Sequence, residues 1–163
     1  MAGTMSTEGL NAIGEMLTAM GEGAEAAAAA GLYEGAGVMA AEIAAEARKL
    51  KTAKFRYANG WQRDPSPEER DVITSAGGVG IAKFDKNGSE VNTSVGYGGA
   101  GYATLNGKQV PIAKIANAVN SGTTFMKKQP FIRQAANRGR KKAEEVIVKA
   151  IEERLNKTGG NRE

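Results

Sequence analysis

The sequence predicts an α+β fold: two N-terminal helices, a small antiparallel sheet of three to four strands, and a long C-terminal helix packed on the sheet. Three observations predict it. Apolar residues recur at helical spacing over the first fifty or so positions. Period-two alternation and Asn-Gly turns follow in the middle third. A long, capped, amphipathic stretch then closes the chain. At 163 residues this is one domain, 1–163, long enough to bury a core.

The elements follow in order. Ser6 caps a first helix whose stripe is Leu10, Ile13, Leu17 and Met20, with Glu8 and Glu15 turned away. A second helix begins after Gly21–Gly23 or after Gly31. Its stripe is Leu32, Ala36, Met39, Ile43, Ala47 and Leu50, giving a helical region over 6–51. Gly31 and Gly35 stand four apart, so they either admit another helix closely or, at Gly31, end one segment. Residues 52–66 are basic and aromatic without clear period, and read as an exposed arm or loop. Ser66-Pro67-Glu68-Glu69 has capping-box spacing with proline at the first helical position, so a short helix runs to about Thr74.

The sheet is expected over 78–123. Val79 to Phe84 and Glu90 to Tyr97 read as strands joined at Asn87-Gly88. Val91, Thr93, Val95 and Tyr97 alternate with small or polar residues, the pattern of a half-buried strand. Tyr102 to Leu105 and Val110 to Val119 read as further strands around Asn106-Gly107. The last helix spans 130–156, opened by Pro130 and stopped by Gly159-Gly160. Its core face is Ile132, Ala136, Gly139, Ala143, Ile147 and Ala150, widened by Val146, Ile151 and Leu155.

Charge is polarised along the chain. Residues 1–46 hold seven glutamates and no Lys or Arg; the remainder holds 22 basic and 11 acidic residues. The front is therefore −7 and the rear +11, for a net +4. Between Val91 and Ala143 there are nine lysines and arginines and no acid. Such polarity speaks to association: the basic part meets nucleic acid, or the acidic face of one copy meets the basic face of another. The candidate residues are Lys127, Lys128, Arg133, Arg138, Arg140, Lys141 and Lys142, with Arg133, Arg140 and Lys141 on roughly one side of the last helix. No aromatic ladder accompanies them, which disfavours stacking on single-stranded bases.

Other chemistry is poorly supplied. Cys and His are both absent, which removes thiolate ligands, cysteine nucleophiles, and the commonest general base and metal ligand. The absence of Cys fits a reducing cytoplasm. No basic segment and apolar run after Met1 make a signal peptide. No window reaches the roughly 18 to 20 apolar residues of a membrane span. Gly96 to Gly101 matches the spacing G-x-G-x-x-G, but Asn106-Gly107 and Pro111 follow where a phosphate-binding helix should begin, so it reads as a turn. Asp85-Lys86-Asn87-Gly88 lacks calcium-loop spacing. Glu68, Glu69 and Asp71 sit in a first helical turn, where acids complement the dipole, and capping explains them better than catalysis. No cofactor, metal site or enzymatic activity is expected.

The run 117–135, and above all Gly122-Thr123, Met126, Pro130-Phe131 and Arg133 with Ala135, resembles the neck or tail-completion proteins of long-tailed bacteriophages, a group similar to the lambda minor tail protein Z. The resemblance implies a strand ending at Gly-Thr, a short Met-containing loop, and a long helix opened by Pro-Phe. It also implies a non-catalytic virion component made in the host cytoplasm, which forms a ring at the head–tail junction, commonly of six copies. The implied partners are further copies of the chain, other neck and tail proteins, and DNA passing through the lumen. Head-to-tail contacts in a ring join two different faces. An acidic surface meeting a basic one would suit them.

Overall fold

The computed structural model describes residues 22–53, 62–75, 78–87 and 90–159. The predicted first helix over 6–20 lies outside the described residues. In order, the elements are α1 (Glu22–Arg48), α2 (Pro67–Thr74), β1 (Gly80–Ile81), β2 (Asp85–Asn87), β3 (Glu90–Asn92), β4 (Val95–Gly96), β5 (Tyr102–Leu105), β6 (Lys108–Pro111), α3 (Ile112–Ser121) and α4 (Phe131–Gly159).

Two long helices, α1 and α4, form the spine. They run antiparallel: Gly31 faces Ile151, Gly35 faces Ile147, and Gly139 faces Met39 and Glu42. The predicted α1 stripe from Leu32 to Leu50 is buried throughout. Gly31 does not end a segment, because α1 passes through it unbroken. A Cβ there would lie 2.7 Å from Ile151 Cγ1, and one at Gly139 would lie 2.9 Å from Met39 Sδ. The three glycines therefore set how closely the helices approach. On α4 the most buried residues are Phe131, Ala135, Ala143 and Ile147, so the face begins one residue before the predicted Ile132, which is half-buried.

The β region differs from the predicted single sheet. It consists of three two-stranded antiparallel ladders, β1–β4, β2–β3 and β5–β6. The stretch Val79–Phe84 holds only the two residues of β1, and Glu90–Tyr97 is divided into β3 and β4. In β2–β3, Asn87 pairs with Glu90, and in β5–β6, Leu105 pairs with Lys108. Asn106 (φ 51°) and Gly107 (φ 75°) take the left-handed conformations that a two-residue hairpin turn needs.

The strand expected over 110–119 is a correction. Only Val110 and Pro111 belong to β6, and the remainder is α3. Ile112, Ile115, Ala116 and Val119 recur at helical spacing and are all buried. A strand would have turned Lys114 to the same face as Ile112 and Ala116; the helix leaves Lys114 exposed. Pro111 stands at the N-cap with φ −60°, where its missing N–H leaves no gap in the helix.

The main core joins Ile43 and Ala47 of α1, Leu50 just after it, Ile73 of α2, the apolar face of α3, Met126, and Phe131 with Ala135 of α4. Tyr97, just after β4, meets Phe131 edge-on with ring centroids 6.1 Å apart. A smaller cluster of Leu32, Ile147 and Ile151 lies at the other end of the spine, with Val91 and Leu155 against it.

Candidate assembly interface: the motif loop and its basic surround

Residues 122–130 connect α3 to α4, and their shape follows from short-range bonds. Gly122 leaves the end of α3 with φ 77°, its N–H donating to the Ala118 carbonyl at 2.9 Å. A helix therefore precedes the Gly-Thr pair, where the resemblance implied a strand. A Cβ at Gly122 would press on Lys128 Cβ at 3.0 Å. Thr123 then folds the loop: its Oγ1 accepts from the N–H groups of Phe125 (3.2 Å) and Met126 (3.0 Å), and its own N–H donates to the Met126 carbonyl at 2.9 Å. Met126 is driven into the core and Phe125 is left 66% exposed.

Long-range bonds hold this loop against the segment after α1. Met126 and Arg63 form a parallel bridge. The Arg63 N–H donates to the Phe125 carbonyl, and the Lys127 N–H to the Arg63 carbonyl, both at 2.9 Å. Gln129 clamps the same segment: its Nε2 donates to the Lys51 carbonyl (2.9 Å) and Asp64 Oδ1 (3.3 Å), while its Oε1 accepts from the Lys51 N–H (2.9 Å). Both ends of the stretch read as an exposed arm over 52–66 are thus tied down, and its middle, 54–61, lies outside the described residues. At the start of α4, the Pro130 carbonyl accepts from the Gln134 N–H at 3.1 Å. Asn120 Oδ1 accepts from the Ile132 N–H at 3.1 Å, satisfying an otherwise unpaired donor of the first turn. Phe131 and Ala135 are buried.

The motif residues therefore divide by role. Gly122, Thr123, Met126, Pro130, Phe131 and Ala135 shape and seat the loop, while Arg133 lies on the surface. Gln129, Asn120 and Arg63 do as much to hold it and were not singled out from sequence. Their partners lie at separations of 12 to 78 residues, and no local pattern announces such pairs.

The basic residues divide as well. Arg138 bonds to Glu46, a carboxylate only 4% exposed on α1, and Lys49 Nζ reaches the same Oε1 at 2.6 Å. The Lys49 hydrogen bond, with the nearby Arg138 charge, holds the Glu46 carboxyl below the ordinary carboxylate range although burial pushes the other way. Arg140 bonds Glu144 one turn along at 2.9 Å. Lys127, Lys128, Arg133, Lys141 and Lys142 are exposed and make no ion pair with any described residue. An open cleft of about 560 Å³ runs between the end of α1 and the motif loop, with Lys49, Lys51, Lys127 and Lys128 on its walls.

The rejected motifs fall where the spacing placed them. The glycine-rich run 96–101 leads into β5 with no helix behind it. Glu69 completes the capping box: Ser66 Oγ accepts from its N–H at 3.2 Å, and its carboxylate accepts from the Ser66 N–H at 2.8 Å and from both terminal nitrogens of Arg63 at 2.6 and 2.7 Å. Among the described residues no helix is long and apolar enough to cross a membrane.

No family model, curated protein or solved structure matches this chain.

Proposed function

We propose that this chain is a structural assembly protein of a tailed phage or prophage, non-catalytic, forming a ring at the head–tail junction that completes or joins the tail in a neck, tail-completion or tail-terminator role. The observation that supports it best is the motif loop. Residues 122–130 are held by bonds to three other parts of the chain, and this bonded loop presents Phe125 beside Lys127 and Lys128, which have no ion-pair partner among the described residues. An exposed aromatic on a preformed loop, flanked by unneutralised cations, suits a protein contact: the aromatic supplies buried area and the charges orient the encounter. Its partners in this reading are further copies, six to a ring as the family resemblance implies, with other neck and tail proteins above and below.

The four lysines along the cleft favour one second reading, a non-specific nucleic-acid-binding protein that tracks phosphates. Two measurements separate the readings. A ring component runs as an oligomer on sizing, binds free DNA weakly, and is found at the head–tail junction when labelled in intact particles. A nucleic-acid-binding protein retards duplex DNA as a small species, with affinity falling steeply as salt rises. Monomeric mass together with such retardation would replace the first reading by the second.

A further inference from the structure

Antiparallel packing decides how the charge gradients of the two spine helices combine. α1 carries glutamates from Glu22 onward and no cation before Arg48, its last residue. α4 carries Arg133, Arg138, Arg140, Lys141 and Lys142 in its first half, and its four glutamates all follow them. Parallel helices would cancel the two gradients; here they add. Gly139 faces Glu42 and Arg138 bonds Glu46, so the basic start of α4 lies beside the end of α1. Gly31 faces Ile151, so Glu152 and Glu153 lie toward the start of α1. The spine therefore has an acidic end and a basic end, about 40 Å apart along the 27 residues of α1.

Ion pairs within the chain leave both ends charged. At the basic end Glu46 holds Lys49 and Arg138, and Asp64 Oδ1 accepts from Gln129. Lys51 on the α1 side of the cleft, and Lys127 and Lys128 on the loop side, stay exposed with no ion pair among the described residues. At the acidic end Glu34 holds Arg154, and Glu153 lies 3.9 Å from Lys149. Of the cations that the two helices bring there, Lys157 remains, and against it stand Glu22 and Glu25 in the first turn of α1 and Glu152 on α4.

We infer that the acidic end of the spine of one copy seats against the lysine-lined cleft of a second copy, head to tail. This rests on the self-assembly reading above and gives the motif loop its counterpart surface. Charge complementarity selects the occupant. The cleft lysines lack a counter-charge in their own chain, and the acidic end of that chain is several screening lengths away on the same helix. Only another copy can bring the two ends together. Opposite potentials at the two ends would speed the encounter and fix its orientation. The contact joins two different surfaces, so it is heterologous and able to close into a ring.

Paired charge reversals test this. Glu25→Lys with Glu152→Lys turns the acidic end basic; Lys51→Glu with Lys127→Glu and Lys128→Glu turns the cleft acidic. The inference expects each variant alone to sediment at monomer mass while melting close to wild type, and an equimolar mixture of the two to regain oligomer mass. Either variant keeping the wild-type mass, or a mixture that stays monomeric, overturns the contact while leaving the ring reading standing. A wild-type chain that is monomeric at every concentration overturns both. If a variant fails to fold, carbodiimide coupling of the wild type decides, because it joins a carboxylate to a lysine amine in direct contact, with loss of water. Peptide mapping that finds Lys127 or Lys128 linked to Glu25 or Glu152 supports the contact, since the two ends lie too far apart to couple within one copy. An oligomer linked only at other positions overturns it.

Discussion

The α1–α4 spine and a second face, that of the motif loop with the adjoining first turn of α4, differ in how their charges are met. In the spine, charges of opposite sign from the two ends of the sequence meet within the chain: Glu46 takes Arg138, and Arg154 reaches Glu34 at 3.4 Å. Part of the polarity that the sequence suggests for docking copies is thus discharged on folding. On the other face Lys127, Lys128 and Arg133 have no acidic partner among the described residues, and Phe125 stands exposed. The spine is complete in one chain. In the reading proposed above, the second face is the one left for association.

Changes in the spine and its adjoining core should therefore alter stability, and changes on the second face should alter association. Phe131→Ala, at the junction, is expected to have the largest effect, a loss of about 3–5 kcal/mol in denaturant unfolding, since it empties the centre of the main core. Gly35→Val places new atoms against Ile147 and should lower stability by about 1–3 kcal/mol. Gly37→Ala, two residues on and facing open space, should raise it by about 0.5–1 kcal/mol; equal effects at the two glycines would contradict the close helix seam.

Glu46→Gln is expected to remove about 1–3 kcal/mol at neutral pH by weakening the charged hydrogen bonds from Lys49 and Arg138. The sign of its pH dependence follows from its depressed pKa. The folded protein holds Glu46 ionised to lower pH than the unfolded chain does, so its contribution is present above the unfolded carboxylate pKa and fades as pH falls through the folded one. Unfolding free energy measured against pH should show a shallower acid decline in Glu46→Gln than in wild type.

The smallest effect is expected at Tyr97. Its hydroxyl is buried with no hydrogen-bond partner among the described residues, and burial pushes its pKa up. Tyr97→Phe should leave stability unchanged or raise it by up to about 1 kcal/mol, and a clear loss in thermal melts would show that the hydroxyl is bonded.

Legibility in the sequence divides along the same line. The α1 stripe, the capping box at Ser66, the Asn106-Gly107 turn and the long last helix were readable because each is a local pattern with a local cause. The α3 helix was misread because Val110-Pro111-Ile112 begins as a strand does; the i, i+3, i+4, i+7 series from Ile112 to Val119 was there to be read, and Lys114 on the would-be buried face argued against the strand. The roles of Gly31, Gly35 and Gly139 needed the partner helix to be known. The charge set was legible as a composition but not as pairs. Nothing near Arg138 in the chain marks it as the partner of a carboxylate 92 residues earlier, while Lys127 and Lys128 have none among the described residues.

That distinction sharpens the test of association. Reversing Arg138 would set a second carboxylate against the buried Glu46 and damage the fold, so it cannot report on assembly alone. Lys127, Lys128 and Arg133 can, since exposed cations without partners change stability by no more than about 0.5 kcal/mol each. The most direct measurement is sedimentation equilibrium of the wild type beside the triple variant Lys127→Glu, Lys128→Glu, Arg133→Glu, with thermal melts on both. The account predicts an oligomeric wild type and a monomeric variant that melts at nearly the same temperature. A variant with undiminished oligomer mass, or a wild type that is monomeric throughout, would contradict it.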